Sequence, residues 1–237
     1  MSAEGKIAEI SNDGGEGAIR AIFEKLLDLL FPPRCPFCRT ILKDHEKTIC
    51  ARCARELPWT AGEAQKQKLR HVEDCVSPLF YEGDVRRSLL RYKFGGMSLY
   101  APKYARLMEK CISENAMDFD LIAWVPVSRK RLKKRGYDQA MLLAQELSAS
   151  LRIPCPQLLV KTADNPPQSV TGSAEKRRSN VSGVYRVVDP FLIKDQNVLI
   201  VDDIVTTGAT LNECARVLKA AGAKKIYAAA LARSRYE

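Results

Sequence analysis

Residues 198–210 (VLIVDDIVTTGAT) constrain the fold more than any other part of this chain. A run of β-branched and aliphatic residues ends in Asp202 and Asp203, which predicts a buried strand with two carboxylates at its carboxyl end. A threonine-rich loop containing Gly208 follows, and apolar periodicity at residues 211–218 predicts a helix directly after it. Because ligands of open α/β sheets bind where strands end in this way, the segment predicts an α/β fold with a ligand site here.

The loop after this strand is suited to bind a phosphate. Backbone N–H groups at a helix N-terminus are unpaired, the helix dipole favours an anion, and glycine lets the main chain come close to it. We expect the phosphate to contact Thr206, Thr207, Gly208, Ala209 and Thr210. Carboxylates repel a phosphate, so the acid pair predicts a neighbouring polyol or metal ion, and a ribose 5-phosphate satisfies both halves. An acidic strand end before an ordinary capped helix is the alternative interpretation.

From residue 75 onward the chain alternates strand and helix patterns. Periodicity predicts strands at 75–81, 120–127, 197–203 and 225–232, and helices at 84–92, 102–112, 138–151 and 210–221. This order predicts a mostly parallel sheet with helices on both faces. Dinucleotide-binding, P-loop, zinc-protease and serine-hydrolase motifs do not occur in the sequence, so those enzyme classes lose their support.

Composition indicates an ordinary globular protein, with 46% hydrophobic and 28% charged residues. Apolar runs stay below the roughly 18 residues that span a bilayer, so we predict no membrane span; the acidic N-terminus favours a cytoplasmic location. The net charge of the chain is +10. Residues 1–30 carry three basic and six acidic side chains, so the remaining residues carry a net charge of +13. Such charge attracts phosphate-rich ligands, either a phosphorylated sugar or a nucleic-acid backbone, although solubility alone also accounts for it.

The N-terminal part of the chain predicts three kinds of segment. Residues 1–17 are polar and predict a flexible tail, and apolar residues at helical spacing predict an amphipathic helix at 18–34, which ends at two prolines. We expect its apolar face to pack on the chain's own domain; the alternative is a partner or a membrane surface, for which no basic flank is present. Residues 60–68 (TAGEAQKQK) predict a polar connector.

Residues 35–59 form a cysteine module between the helix and the connector. Two C-x2-C pairs, separated by eleven residues, consist of Cys35, Cys38, Cys50 and Cys53. Such paired motifs place four thiolates around one tetrahedral Zn²⁺, and a site filled in this way has no open position for catalysis. We therefore predict a structural zinc site, with His45 as a possible substitute ligand and free or disulfide-bonded thiols as the alternative.

A dense basic segment follows the predicted strand at 120–127. Residues 128–136 (SRKRLKKRG) contain six cations in a predicted strand-to-helix loop, which suits either a diphosphate or, for the later lysines, a nucleic-acid backbone or plain solvation. A second basic group at 176–178 lies in a polar loop rich in serine and glycine. It predicts either a mobile lid over the site or an ordinary exposed loop.

These motifs resemble known proteins. Residues 198–210 resemble the phosphoribosyl-pyrophosphate signature of the type I phosphoribosyltransferases at every position. The strings CPFC, CARCARELPW, RSLLRYKFGG, VPVSRKRLKKRGYDQA, RRSNVSGVY and VLIVDDIVTTGAT, in this order between residues 35 and 232, resemble the ComF family of phosphoribosyltransferase-like proteins.

The resemblance implies a type I phosphoribosyltransferase domain at 75–237, an N-terminal zinc finger and a link to DNA uptake in competent bacteria. It implies a pyrophosphate site at Ser128 and Arg129, and further signature positions at Lys93, Arg135, Gln139, Gln168, Arg178 and Asn180. Asp138 departs from the asparagine of many members. Thr206 stands where purine-salvage enzymes commonly hold a carboxylate, so a purine acceptor is harder to argue.

Two functional hypotheses remain open. In the first, the protein is an enzyme that displaces pyrophosphate from phosphoribosyl pyrophosphate with Mg²⁺; Asp202 and Asp203 stabilise the charge that develops on the ribosyl ring, and Arg129 takes the leaving group. In the second, it is a binding component of the DNA-uptake machinery, in which the basic loops and the finger hold single-stranded DNA and contact other uptake proteins, while the phosphoribosyl site is sensory or a relic.

Overall fold

The computed structural model describes residues 32–162 and 183–235. The predicted tail at 1–17 and the predicted helix at 18–34, apart from its last three residues, lie outside these ranges. So do the basic group at 176–178 and three signature residues, Gln168, Arg178 and Asn180. The described strands are β1 (Cys75–Val76), β2 (Leu79–Phe80), β3 (Leu121–Trp124), β4 (Leu159–Lys161), β5 (Tyr185–Val187), β6 (Asn197–Val205) and β7 (Lys225–Arg233).

One parallel sheet carries the fold, with the strand order β1-β7-β6-β3. Strand β2 also pairs with β7, farther along the strand than β1, and every pairing within this sheet is parallel. Strands β4 and β5 form a separate antiparallel pair. The two central strands, β6 and β7, are buried on both faces, which explains why their sequences are almost continuous apolar runs. The predicted mostly parallel sheet is confirmed.

Helices cover both faces of this sheet. The described helices are α1 (Ala51–Glu56), α2 (Gly83–Phe94), α3 (Ala101–Glu114), α4 (Arg129–Arg135), α5 (Gln139–Leu151) and α6 (Ala209–Ala220), of which α3, α5 and α6 pack on the sheet. On one face, Met108 of α3 and Leu143 of α5 pack in a cluster with Leu199 of β6. On the other face, Leu211 of α6 packs with Ile200. Neighbouring residues of β6 therefore point to opposite faces, and the predicted α/β layers are confirmed.

The basic segment at 128–136 folds as helix α4, although its sequence predicts a loop. Ser128 caps the helix, because its side chain accepts a hydrogen bond from the Arg131 N–H at 3.4 Å. Gly136 ends it in the left-handed region at φ 82° and donates its N–H to the Leu132 carbonyl at 2.8 Å. Lysine and arginine are good helix formers, and cations in the last turn interact favourably with the helix dipole, so caps and propensity outweigh the lack of an apolar face.

The cysteine module and the sheet share one hydrophobic core. Phe37 is fully buried and its ring centre lies 5.7 Å from that of Tyr104 on α3. The Arg91 guanidinium of α2 donates to the carbonyls of Pro36 and Phe37 at 2.9 and 2.8 Å. The module is therefore docked on the domain rather than attached by a free linker. Throughout the described ranges, we find no helix with the length and apolar character needed to cross a membrane.

Candidate functional site

The acid pair lies where two neighbouring parallel strands end. Trp124, the last residue of β3, pairs with Val201 of β6, so the residues after β3 lie beside Asp202. The Val125 N–H donates to the Val201 carbonyl at 3.0 Å and continues the pairing by one step. The predicted pyrophosphate loop and the predicted ribose acids are thus brought to the same edge of the sheet, as the parallel topology requires.

The two carboxylates have different partners. Asp203 is 6% exposed, and its Oδ2 lies 3.0 Å from the ammonium of Lys93 on α2. Asp202 accepts the Asp203 N–H at 2.8 Å. Burial raises the pKa of Asp202 well above its ordinary value, and the charge of Asp203 raises it further, while Lys93 opposes the shift. The lysine signature position is therefore part of the acid site and balances its charge.

Two more signature residues, Arg135 and Gln139, gather next to Lys93. The Arg135 guanidinium donates to the Gln139 side-chain oxygen at 2.6 Å, and the Gln139 backbone carbonyl accepts the Tyr92 hydroxyl at 3.0 Å. Because Tyr92 precedes Lys93 on α2, this bond ties the start of α5 to the helix that holds the lysine. The structure thus brings together three signature positions that are far apart in sequence.

Phe94 is a surface feature that sequence reasoning missed. Its side chain is 62% exposed, and the Arg135 guanidinium carbon lies 5.0 Å from its ring centre. Apolar periodicity gives no signal for such a residue, because it packs in no core. Its position directly after Lys93 is the one feature of the sequence that associates it with the site. An exposed aromatic ring beside a guanidinium is a surface on which a flat base can stack.

Asp138 holds the loop between β3 and α4. Its Oδ2 accepts the Val127 N–H at 2.9 Å, and its Oδ1 accepts the N–H groups of Ala140 and Met141 at 3.1 and 3.2 Å. Burial raises the pKa of this carboxyl, although the three backbone donors oppose the shift. Asparagine has one acceptor oxygen, so only a carboxylate uses separate oxygens for the loop and for the start of α5.

The predicted pyrophosphate residues lie next to this anchor. Ser128 is buried as the cap of α4, whereas Arg129 is exposed on the first turn of that helix. A cavity of ≈ 680 Å³ adjoins both residues, and Trp124, Lys161 and Arg186 also line it. Most of the lining is apolar, but three cations, Arg129, Lys161 and Arg186, can meet an anionic group there.

The predicted phosphate loop begins helix α6. Gly208 is the N-cap and has φ 72°, a left-handed conformation that glycine adopts without strain. Thr206 is exposed, while Thr207, Ala209 and Thr210 are partly buried. Gly208 itself is buried, and the space that a side chain would need there is taken by Leu69. Sequence reasoning missed two residues here, Gln67, which belongs to the predicted connector at 60–68, and this leucine, which directly follows the connector.

The four cysteines of the module form one compact group. Their sulfur atoms all lie within 4.8 Å of one another, and the Cys38 and Cys50 sulfurs are 3.5 Å apart. Zn–S bonds of about 2.3 Å in a tetrahedron place sulfurs about 3.8 Å apart, so the group fits a single structural Zn²⁺. Cys50 also caps α1, where its sulfur accepts the Cys53 N–H at 3.5 Å. His45 is exposed and lies outside the group.

Comparisons with known proteins agree with both parts of this description. The phosphoribosyl transferase domain model matches residues 134–236, and the double zinc ribbon domain model matches residues 26–65. The fold and the site therefore define a phosphoribosyltransferase-type domain that is preceded by a zinc ribbon.

Relatives align with most of the chain. DNA utilization protein YhgH of Escherichia coli O157:H7 is 31% identical over 209 residues, 84% of each chain. Competence protein F of Haemophilus influenzae is 27% identical and covers 85% of this chain and 97% of its own length. Competence protein ComFC of Bacillus subtilis is 27% identical and covers 78% and 77%. The chain belongs to the ComF family of competence-associated, phosphoribosyltransferase-like proteins, and the resemblance in its motifs is confirmed.

Proposed function

We propose that this protein binds 5-phosphoribosyl 1-pyrophosphate and transfers its phosphoribosyl group, as an enzyme of the cytoplasm that serves DNA uptake. The observation that carries the proposal is the meeting of three groups at one sheet edge: the acid pair with Lys93, the loop beside Ser128, and the glycine-containing loop before α6. Each suits one part of this ligand, namely the ribose, the diphosphate and the 5-phosphate.

The acid pair would act on the ribose. Asp202 and Asp203 accept hydrogen bonds from the ribose hydroxyls, and their negative charge stabilises the positive charge that develops on the ring as the bond from C1 to the diphosphate breaks. Lys93 holds Asp203 in place until the ligand enters. Arg129 is the cation available to the leaving diphosphate from the first turn of α4.

Mg²⁺ would enter with the substrate. Within the described residues, the cysteine cluster is the one group of three or more potential metal ligands, so the acid pair alone does not form a cage for Mg²⁺. That fits an ion that usually binds one or two carboxylates together with substrate phosphates. When bound, Mg²⁺ neutralises charge on the leaving diphosphate, and Asp202 and Asp203 are the residues that can reach it or its waters.

The cellular role is proposed from the relatives. Two of them are named competence proteins and a third a DNA utilization protein, and the alignments cover most of each chain. None of the eight cysteines forms a disulfide bond, and four of them form the metal-binding group, as expected of a protein in the reducing cytoplasm. Other proteins of the uptake machinery are the partners that this role implies.

Pyrophosphate release tests the proposal. We expect wild-type protein with Mg²⁺ to release pyrophosphate from phosphoribosyl pyrophosphate when the right acceptor is supplied, with bases, ammonia and single-stranded DNA as the candidates. Asp203→Asn should lower kcat/KM by about 100-fold or more, since it removes charge stabilisation at the reacting ring. Asp118→Asn, the same change at an exposed position, is the control and should not alter the rate. Equal rates for wild type and Asp203→Asn would contradict the site assignment.

A second candidate function is single-stranded DNA binding without turnover. The specific observation in its favour is the surface that α4 forms with Phe94: four of its cations, Arg129, Lys130, Lys133 and Lys134, are exposed, and the ring of Phe94 lies under Arg135. Cations that follow a backbone beside an aromatic ring are what a single strand requires.

A further inference from the structure

The segment between the zinc ribbon and the sheet is an ordered part of the domain. We call residues 65–71 the strap. Its backbone runs antiparallel to the start of the sheet: the Gln67 N–H donates to the Cys75 carbonyl at 2.8 Å, and the Ser77 N–H donates to the Gln65 carbonyl at 3.0 Å. Arg233 of β7 donates to the Lys66 carbonyl at 2.5 Å and to the carbonyl of Ala64, which directly precedes the strap, at 3.1 Å. The strap therefore has a fixed position along the sheet edge.

Alternate residues of the strap contact the predicted phosphate loop. The Gln67 side-chain amide donates to the Thr206 carbonyl at 3.0 Å, and Gln67 is only 6% exposed. The Leu69 side chain fills the space in front of Gly208 that a Cβ would need. The His71 N–H then donates to the side-chain oxygen of Asn212, in the first turn of α6, at 3.2 Å.

These contacts hold the loop at its first residue, at its glycine and at the following helix turn. A short loop with a left-handed glycine has many conformations when nothing holds it, and a ligand that must order it binds more weakly. The strap removes that freedom before any ligand arrives. Its contacts are made with the Thr206 carbonyl and with one face of Gly208, so they use none of the backbone N–H groups of Ala209 and Thr210.

We propose that Gln67 and Leu69 are positioning residues of the phosphate site, which keep the loop at 206–210 in the conformation that receives the 5-phosphate. The inference rests on the proposed function, because it assigns the 5-phosphate to this loop. It extends the ligand site to a segment that precedes the first strand of the sheet. Five residues, 60–64, separate the cysteine module from the strap, so the strap connects the module to the ligand loop.

Separate ligands distinguish a positioning role from general stabilisation. Ribose 5-phosphate and phosphoribosyl pyrophosphate both carry the 5-phosphate, whereas pyrophosphate alone carries only the group assigned to Ser128 and Arg129. Gln67→Ala removes one hydrogen bond to the loop. We expect it to weaken binding of both 5-phosphate ligands by about three- to tenfold, measured by titration calorimetry with Mg²⁺, and to leave pyrophosphate affinity unchanged.

Gln65→Ala is the matched control. It is the same change in the same strap, but the Gln65 side chain bonds to Glu114 and Asn115 of the α3 end, at 3.1 and 2.8 Å, and not to the loop. All three ligands should bind this variant as they bind wild type. Leu69→Ala should act like Gln67→Ala, with the same selectivity for 5-phosphate ligands.

Three outcomes would overturn the inference alone. The first is that Gln67→Ala binds all three ligands with wild-type affinity, and the second is that it loses the same affinity for all three. The third is that Leu69→Ala binds the 5-phosphate ligands more tightly than wild type, which would show that the leucine obstructs the site. Wild-type protein that binds pyrophosphate but neither 5-phosphate ligand would instead overturn the proposed function, and the inference with it. Circular dichroism spectra of each variant verify that the fold is retained.

Discussion

Asp202 and Asp203 are adjacent on β6, yet their surroundings give them different properties. Asp203 has a lysine ammonium 3.0 Å away, whereas the partly buried Asp202 has a pKa well above its ordinary value, raised first by the desolvation of its carboxyl and then by the charge of its neighbour. An acid with a raised pKa in the folded state costs stability whenever the pH is high enough to ionise it in the unfolded chain.

Asp202→Asn should therefore stabilise the protein near neutral pH. The folded variant contains no poorly solvated carboxyl at this position. Each kcal/mol added to the free energy of unfolding raises Tm by about 2–4 °C in a chain of this size. The gain should shrink as the pH falls through about 4, because the unfolded chain then binds the same proton. Thermal melts across this pH range measure it, with exposed Asp118→Asn as the control. A gain that increases as the pH falls would contradict the assignment.

Helix α4 is the element whose properties differ most from its sequence pattern. Its caps at Ser128 and Gly136 make it a helix, and as a helix it presents cations on several sides next to Phe94. A helix holds these charges at fixed spacing, whereas a loop would let them spread into solvent. The DNA-binding alternative depends on this element.

Lys130→Gln/Lys134→Gln should reduce the salt dependence of single-stranded DNA binding. Each phosphate contact contributes about 0.7 to the slope of log affinity against log salt, so two lost contacts lower the slope by about 1.4.

Phe94→Ala should weaken binding by about 1–3 kcal/mol with an unchanged slope, since stacking releases no counterions. Fluorescence anisotropy at several salt concentrations separates the two effects.

Lys224→Gln/Lys225→Gln is the matched control for the double lysine variant. These exposed lysines lie at the amino end of β7, on the opposite edge of the parallel sheet from the acid pair. Their replacement removes the same charge. If it lowers the slope as much as the α4 variant does, the binding follows net charge and the α4 surface has no special part in it.

At the scale of the whole molecule, the zinc ribbon and the parallel sheet form one structural unit. Buried Cys35, Phe37 and Leu57 belong to the same hydrophobic cluster as Tyr104 and Leu199. Arg91 and Ser88 of α2 donate to backbone carbonyls of the residues between Cys35 and Cys38, and Lys93 in the last turn of α2 lies at the acid site. Unfolding of the zinc ribbon should therefore destabilise the sheet.

Loss of zinc should destabilise the whole protein in a single thermal transition. We expect Cys50→Ser to lose its zinc and to lower Tm by about 5 °C or more, because structural zinc contributes folding free energy directly. Burial raises the pKa of Cys50 and Cys53 in the metal-free protein, so zinc must displace protons and its affinity should fall as the pH falls. Metal analysis and thermal melts measure both effects.

Cys155→Ser is the control, since Cys155 is a partly buried cysteine outside the cluster. It should keep its zinc and an unchanged Tm. Two separate melting transitions in Cys50→Ser, with the second at the wild-type temperature, would show that the ribbon unfolds alone and would contradict the shared core.

Much of the fold was predictable because its signals lie within consecutive residues. The apolar run of β6, its two terminal acids and the helix after Gly208 form one short string, and strand and helix periodicities repeat over a few residues elsewhere. The cysteine spacing similarly encodes a metal site, since each pair is held by one local turn. Patterns of this kind depend only on the order of apolar, polar and metal-binding residue types within a short segment.

Contacts between distant segments could not be predicted in this way. Lys93 meets Asp203, and Gln67 meets Thr206, only because α2 and the strap pack at the edge of the sheet where β6 ends. The strap is polar and looks like a linker, but its order comes from backbone hydrogen bonds, which do not depend on side-chain type. Local chemistry therefore specified the elements and the ligand loop, whereas packing chose which distant side chains surround that loop.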